Sequence, residues 1–242
     1  MKKALLAIAL AGTVFSVSAK DLTFGMETTY PPFEYNNENN QLVGFDVDIA
    51  NKICANLQYT CKFVNQSFDS LIPSLKTRRI DATISGIDIT PERSEQVDFT
   101  QAYYDNSAQF ITLKGAFNAI DQLDGKRVGI QNGTTHQKYL MDKFPQLEVV
   151  SYDSYQYAVL DLKAGRIDAI FSDSAVADEW LKKDSDLVDL GEKVVDPEYF
   201  GSGLGIAVRK GNTDLLEQFN NTLTEMKNDG SYDEIYAKWF SK

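Results

Sequence analysis

Arg93 stands where helix electrostatics disfavour it. Thr90-Pro91-Glu92-Arg93 reads as a helix start, with Thr90 as N-cap and Pro91 at the first helical position. Arg93 then falls in the first turn, where the dipole opposes a cation by up to ~1 kcal/mol. A residue that breaks a local rule amid sound capping chemistry is a candidate functional site. A guanidinium there can grip a carboxylate with two parallel hydrogen bonds. The alternative is a surface arginine paired with Glu92 or Glu95, and local sequence leaves the two open. Ile130-Gln131-Asn132-Gly133-Thr134-Thr135 forms a second candidate, a strand-to-helix turn whose free N–H groups suit an anion; ordinary capping by a hydroxyl explains the same residues. Asp173 and Asp88 add acids suited to an ammonium group. A carboxylate grip (Arg93, Thr135) beside an ammonium grip (Asp173, Asp88) matches the two charges of a free α-amino acid.

An internal repeat supplies the frame for these residues. Leu75-Lys76-Thr77-Arg78-Arg79-Ile80-Asp81-Ala82-Thr83-Ile84-Ser85 returns as Leu162-Lys163-Ala164-Gly165-Arg166-Ile167-Asp168-Ala169-Ile170-Phe171-Ser172, an offset of 87 residues, with Phe68 and Tyr155 in register upstream. Strands are expected at Leu22–Met26, Lys62–Val64, Ala82–Ile84, Arg127–Ile130, Val149–Tyr152, Ala169–Phe171 and Ile206–Arg209. Helices are expected at Phe45–Leu57, Phe68–Leu75, Thr135–Met141 and Tyr155–Leu162; Phe45, Ile49, Ile53 and Leu57 recur on one face of the first. This alternation implies an α/β protein with parallel-rich sheets, and the repeat divides it into two similar lobes. Ligands of open α/β sheets sit beyond the carboxyl ends of the strands. The repeat puts Ser85-Gly86 and Ser172-Asp173 there, one pair per lobe, on either side of a cleft.

The N-terminus and the composition bound the rest. Lys2 and Lys3, an apolar run from Ala4 to about Val17 and the small residues Val17-Ser18-Ala19 predict a secretory signal peptide, residues 1–19, cleaved after Ala19. No cysteine follows the cut, so no lipoprotein is expected. The mature chain keeps the 24 Lys and Arg less Lys2 and Lys3, so 22 basic against 35 acidic residues leave a formal charge of −13. Nucleic acid, which demands a basic face, is excluded as a partner. Cys54 and Cys61 lie close together in a compartment that permits oxidation, and a structural disulfide is expected. With one histidine and no second cysteine pair, no metal site is expected. Asp46-x-Asp48 lacks the later ligands of a calcium loop and reads as a dipole partner at a helix N-terminus. Gly201-Ser202-Gly203-Leu204-Gly205 precedes a strand, not a helix, and reads as chain flexibility near a hinge. His136 reads as a satisfied or exposed residue at a helix start. No Gly-x-Ser-x-Gly elbow or phosphate loop is present, and neither an enzyme nor a cofactor is expected.

Thr29-Tyr30-Pro31-Pro32-Phe33-Glu34, Gly44-Phe45-Asp46-Val47-Asp48, Phe68-Asp69-Ser70-Leu71-Ile72-Pro73, Asp88-Ile89-Thr90-Pro91-Glu92-Arg93 and Tyr199-Phe200-Gly201 resemble, in order and at matching spacings, the periplasmic amino-acid-binding proteins of ABC importers (solute-binding protein family 3), above all the arginine-binding ones. The resemblance runs over the whole mature chain. It implies a two-lobed fold of the type II class joined by two hinge strands near residues 105–109 and 199–204, with lobe I at 20–106 and 203–242 and lobe II at 107–202. It implies a receptor for arginine or another basic amino acid, monomeric in the periplasm, that delivers its ligand to an inner-membrane ABC permease; the alternatives are a lysine-, ornithine-, histidine- or polar amino-acid-binding protein, or a periplasmic dehydratase on the same fold. By the same resemblance Arg93 and Thr135, with Thr134 beside it, take the ligand carboxylate. Asp173 takes the ammonium group, Ser85 and Gly86 give backbone contacts, and Tyr30 and Phe68 flank the ligand's side chain. Glu27 meets the distal charge where lysine/arginine/ornithine-type relatives carry an aspartate, and Asp88 stands where the group commonly has a hydroxyl. From the residues alone, Tyr30 and Phe68 read more readily as core or rim aromatics than as a ligand sandwich, and Glu27 equally well as a solvated loop acid.

Overall fold

The computed structural model describes residues 20–241, so the expected signal peptide lies outside the described residues. Two five-stranded sheets carry the fold. The first runs Tyr59–Asn65, Lys20–Met26, Ala82–Thr83, Ala207–Arg209, Val97–Phe99, and the second runs Glu148–Tyr152, Arg127–Gln131, Ala169–Asp173, Ala108–Leu113, Leu187–Val194. The two copies of the repeat occupy the same place, third in each sheet, and each follows a helix opened by the aligned aromatic (Phe68 or Tyr155). This is the two-lobed periplasmic-binding-protein fold.

The sheets are less parallel than expected. The first three strands of each run parallel, but Ala207–Arg209 and Ala108–Leu113 are antiparallel to both of their neighbours. Parallel neighbours need a long crossover, usually a helix. The chain instead enters the second sheet directly on Ala108–Leu113 and re-enters the first on Ala207–Arg209, which frees these strands to run the other way.

The helix Phe45–Leu57 has the expected bounds, and Phe45, Ile49 and Ile53 on its apolar face are fully buried. The element expected at Phe68–Leu75 starts as a single 3-10 turn, Phe68–Ser70, before the α-helix Leu71–Lys76. A disulfide joins Cys54, in the last turns of Phe45–Leu57, to Cys61 on the adjoining strand. Among the described residues no helix is long and apolar enough to cross a membrane, and no cluster of His, Cys, Asp and Glu is arranged to hold a metal ion.

Two segments pass between the sheets side by side. Tyr103 N–H donates to Leu204 O (2.9 Å), Leu204 N–H to Tyr104 O (2.8 Å) and Ile89 N–H to Gly203 O (2.9 Å). Gly201 and Gly203, read from sequence as flexible, are glycines for a different reason. Both have positive φ, and a Cβ would lie 1.8 Å from Ile89 O at Gly201 and 2.5 Å from Tyr104 O at Gly203. Close backbone approach, not looseness, requires them.

Candidate functional site

The carboxyl ends of the two sheets face each other across a cavity of about 10 Å³, far smaller than a drug-sized pocket of roughly 300–1,000 Å³. Its walls are Tyr30, Phe68, Gly86, Asp88, Arg93, Gln131, Thr134, Thr135, His136 and Asp173. A larger groove of about 760 Å³ shares Arg93, Thr134 and Thr135 with it but opens to solvent along the rim. The buried charges converge on the smaller space, so we take that as the site.

Arg93 is carried there by the short helix Pro91–Ser94, whose cap forms as the sequence predicts, with Thr90 Oγ1 accepting from Arg93 N–H at 3.2 Å. Its side chain is buried, only 8% exposed, which excludes the surface pairing with Glu92 or Glu95. The guanidinium donates to two carbonyls, Asp88 O (3.0 Å) and, from the facing lobe, Gly133 O (3.1 Å). Among the described residues no carboxylate is bonded to it; Asp88 and Asp173 act on it only through their fields, against a burial that lowers its basicity. Phe68, half-buried, lies under this guanidinium with its ring centre 5.5 Å from Cζ.

The acids come from both lobes. Asp173 ends the strand Ala169–Asp173 and immediately precedes the helix Ser174–Lys183, whose N-terminal dipole favours a negative charge. It accepts from the Tyr30 hydroxyl (2.5 Å) and from Asn106 Nδ2 (2.6 Å). His136 Nε2 approaches it to 3.1 Å without hydrogen-bond alignment. Burial alone would raise its pKa, but His136, Tyr30 and Asn106 outweigh that and hold it below the usual aspartate value. Asp88 accepts from Thr135 Oγ1 (2.6 Å) and Asn106 (2.8 Å). Burial, with the Asp173 charge beside it, pushes Asp88 up to about 6.

Most of the predicted residues meet here, though several do so in another way. Thr134 and Thr135 divide the two readings of their turn. The Thr134 hydroxyl is an N-cap, accepting from Gln137 N–H and donating to Gln131 O, whereas the Thr135 hydroxyl crosses the cleft to Asp88. Tyr30 stacks on Tyr155, ring centres 5.7 Å apart, and is a core aromatic that also lines the cavity. Ser85 and Glu27 are not in the cavity wall. Ser85 Oγ is occupied by Glu34 and by Glu27 N–H. Glu27 is not a solvated loop acid. It is 6% exposed, burial raises its pKa, and its Oε1 accepts from Thr29 while Oε2 has no partner.

Four contributors have roles that the sequence did not assign to them: Gln131, His136, Asn106 and the acid pair Glu34–Asp46. Asp46 and Asp48 look equivalent at the start of Phe45–Leu57, yet Asp48 bonds outward to Lys238 and Trp239. Asp46 turns inward and accepts from Gly86 N–H (2.9 Å) and Tyr103 OH (2.9 Å). Glu34 and Asp46 are both 0% exposed and within hydrogen-bonding reach of each other. Burial and the Asp46 charge raise Glu34 well above its ordinary value, and burial moves Asp46 to about 6, so the surroundings of both favour the protonated form. His136 was legible only as a lone histidine at a helix start; its place against Tyr155, Phe171 and Phe200 is purely tertiary.

Residues 22–242 match the bacterial extracellular solute-binding proteins, family 3. The chain is 56% identical to a putative ABC transporter arginine-binding protein 2 of Escherichia coli K12 over 243 residues, all of both chains. It is 55% identical to ABC transporter arginine-binding protein 1 of the same organism over 241 residues, 99% of each. Among solved structures it is similar to a Salmonella typhimurium periplasmic binding protein described for high arginine specificity, with a TM-score of 0.90, 47% identity and coverage of 92% of this chain and 100% of that one.

Proposed function

This chain belongs to the bacterial extracellular solute-binding proteins, family 3, and we propose that it captures free L-arginine in the periplasm and presents it to the membrane permease of an ABC importer. One observation carries the reading: Arg93 is a buried guanidinium held by two carbonyls, facing two buried acids across a small cavity. A buried cation of this kind is stable only when its hydrogen bonds are made, and gains most from a carboxylate. In this reading the ligand α-carboxylate meets Arg93 and the helix start at Thr135. The α-ammonium group meets Asp173 and Asp88, beside Gly86. The distal guanidinium passes Tyr30 and Phe68 towards Gln131 and Glu27, whose buried, unpartnered Oε2 supports a cationic side chain. The acids outnumber Arg93, which favours arginine, lysine or ornithine over neutral amino acids.

Lobe I (20–106 and 203–242) and lobe II (107–202) close by bending at residues 105–109 and 199–204. Closure buries both main-chain charges of the ligand, which is tolerable because each is paired. The mature chain, cleaved after Ala19, acts as a monomer and is not an enzyme. A thermal-shift screen of the twenty common amino acids plus ornithine tests this. Arginine is expected to give the largest stabilisation, with lysine and ornithine behind it. Stabilisation by glutamine or glutamate alone sinks the basic-ligand reading, and turnover of any ligand revives an enzyme.

A further inference from the structure

Asn106 lies on the first crossing segment, and its side chain reaches both walls of the cleft. One nitrogen, Nδ2, donates to Asp88 Oδ1 at 2.8 Å and to Asp173 Oδ1 at 2.6 Å. The amide oxygen accepts from Ser107 N–H at 2.9 Å, which fixes which end of the amide faces the acids. The segment itself is stapled to the second lobe, Ser174 N–H donating to Ser107 O (2.7 Å) and the two serine hydroxyls meeting at 3.0 Å. Asp88 belongs to the opposite side: its backbone bridges Leu204 on the second crossing segment. The three residues thus join both crossing segments and the second lobe at one nitrogen.

We propose that Asn106 is a positioning residue that holds Asp88 and Asp173 together as a paired-acid receptor for the ligand ammonium group, and makes their pairing depend on the hinge angle. Two carboxylates that share one donor lie within two hydrogen-bond lengths of each other, and buried like charges repel. A neutral amide with two protons, one for each acid, holds them together without adding a positive charge, so the pair keeps its full attraction for an ammonium group. A lysine there would neutralise the pair, and an aspartate would add a third repelling charge. The other groups facing the pair are Arg93, His136 and the hydroxyls of Tyr30 and Thr135. The inference rests on the amino-acid-binding reading above.

The test is calorimetric titration of arginine into the mature protein and into Asn106→Ser, which keeps one donor, and Asn106→Leu, which keeps none, each at about pH 8 and about pH 5. At pH 8 the Leu variant is expected to bind at least about tenfold more weakly than the parent, with Ser between them. At pH 5 protonation of Asp88 removes the repulsion, so the ratio of variant to parent Kd is expected to shrink. A purely structural role would weaken binding equally at both pH values. Parent-like affinity of Asn106→Leu at pH 8, or a pH-independent ratio, overturns the proposal. If thermal melting shows that the Leu variant does not fold, the Ser variant decides by the same criteria. A parent that does not bind arginine overturns the arginine reading and this inference together, an outcome distinct from a binding parent whose variants match it.

Discussion

Replacing Arg93 by alanine removes the cation that the carboxylate reading depends on. In the parent protein the guanidinium is buried, spans the cleft from Asp88 O to Gly133 O and lies on the Phe68 ring. In the variant the ligand carboxylate would enter the same enclosed site with no counter-charge. Breaking one side of a buried ion pair costs about 3–5 kcal/mol, because the remaining charge is left desolvated and unpaired. Each 1.4 kcal/mol is about tenfold in Kd, so affinity for arginine should fall by a factor of about a hundred to a few thousand. The ligand-free protein should lose little, since among the described residues Arg93 carries no ion pair and burial already works against its charge. Arg93→Lys should fall between the two, keeping the charge but losing the planar fork that matches a carboxylate. Isothermal calorimetry with arginine at neutral pH, beside thermal melts without ligand, measures both quantities. Affinity within about threefold of the parent, in a variant that melts normally, would falsify the assignment of Arg93.

Three other outcomes follow from the same geometry. Glu34 and Asp46 have folded pKa values raised above their unfolded ones, Asp46 to about 6. Their contribution to stability is therefore fully present below about pH 4 and is lost as pH rises through the folded values. Glu34→Gln keeps the hydrogen bond without needing a proton and should flatten the decline of Tm above about pH 4; an unchanged Tm–pH curve in calorimetry refutes the raised Glu34 value. Gly86→Ala forces a residue into φ +56° and brings a Cβ to 3.1 Å from Tyr30 Cε1, so chemical denaturation should show a loss of about 1–2 kcal/mol together with weaker arginine binding. Cys54→Ser with Cys61→Ser opens a loop whose ends are 7 residues apart, worth about 2.5 kcal/mol by loop entropy. That is a fall in Tm of roughly 5–10 °C for a domain of this size, with arginine affinity retained because the bridge lies away from the cleft.

How far the site was legible depended on how local each signal was. The Thr90 cap, the Phe45–Leu57 helix and the strand ends at Ser85 and Asp173 rest on neighbouring residues, so spacing alone found them. The fate of a side chain did not follow from spacing. Asp46 and Asp48 share a helix turn, but only Asp46 faces Gly86 and Tyr103. Thr134 and Thr135 are adjacent, yet one caps the helix and the other crosses to Asp88. Glu27 and Ser85 fell among the predicted site residues but stand one layer behind the cavity, because Ser85 is taken by Glu34 from across the first lobe. Asn106 gave no local signal, since its two partners lie far from it in the chain.

By itself the sequence determined two similar α/β lobes, the strand ends that face each other and a mixture of one arginine and several acids between them. Those features come from hydrophobic period, capping chemistry and an internal repeat, all of which act over a few turns of chain. Only the tertiary structure decided which charges are buried and what each one meets. Desolvation and hydrogen bonding are set by whatever the fold brings within about 3 Å. Tyr30 and Asp173 are 143 residues apart in the chain and 2.5 Å apart in the protein. Arg93 sits in the last turn of a helix only four residues long, so the helix dipole does not single it out; its role, a carbonyl of the opposite lobe and the space between two acids, lies outside that helix altogether.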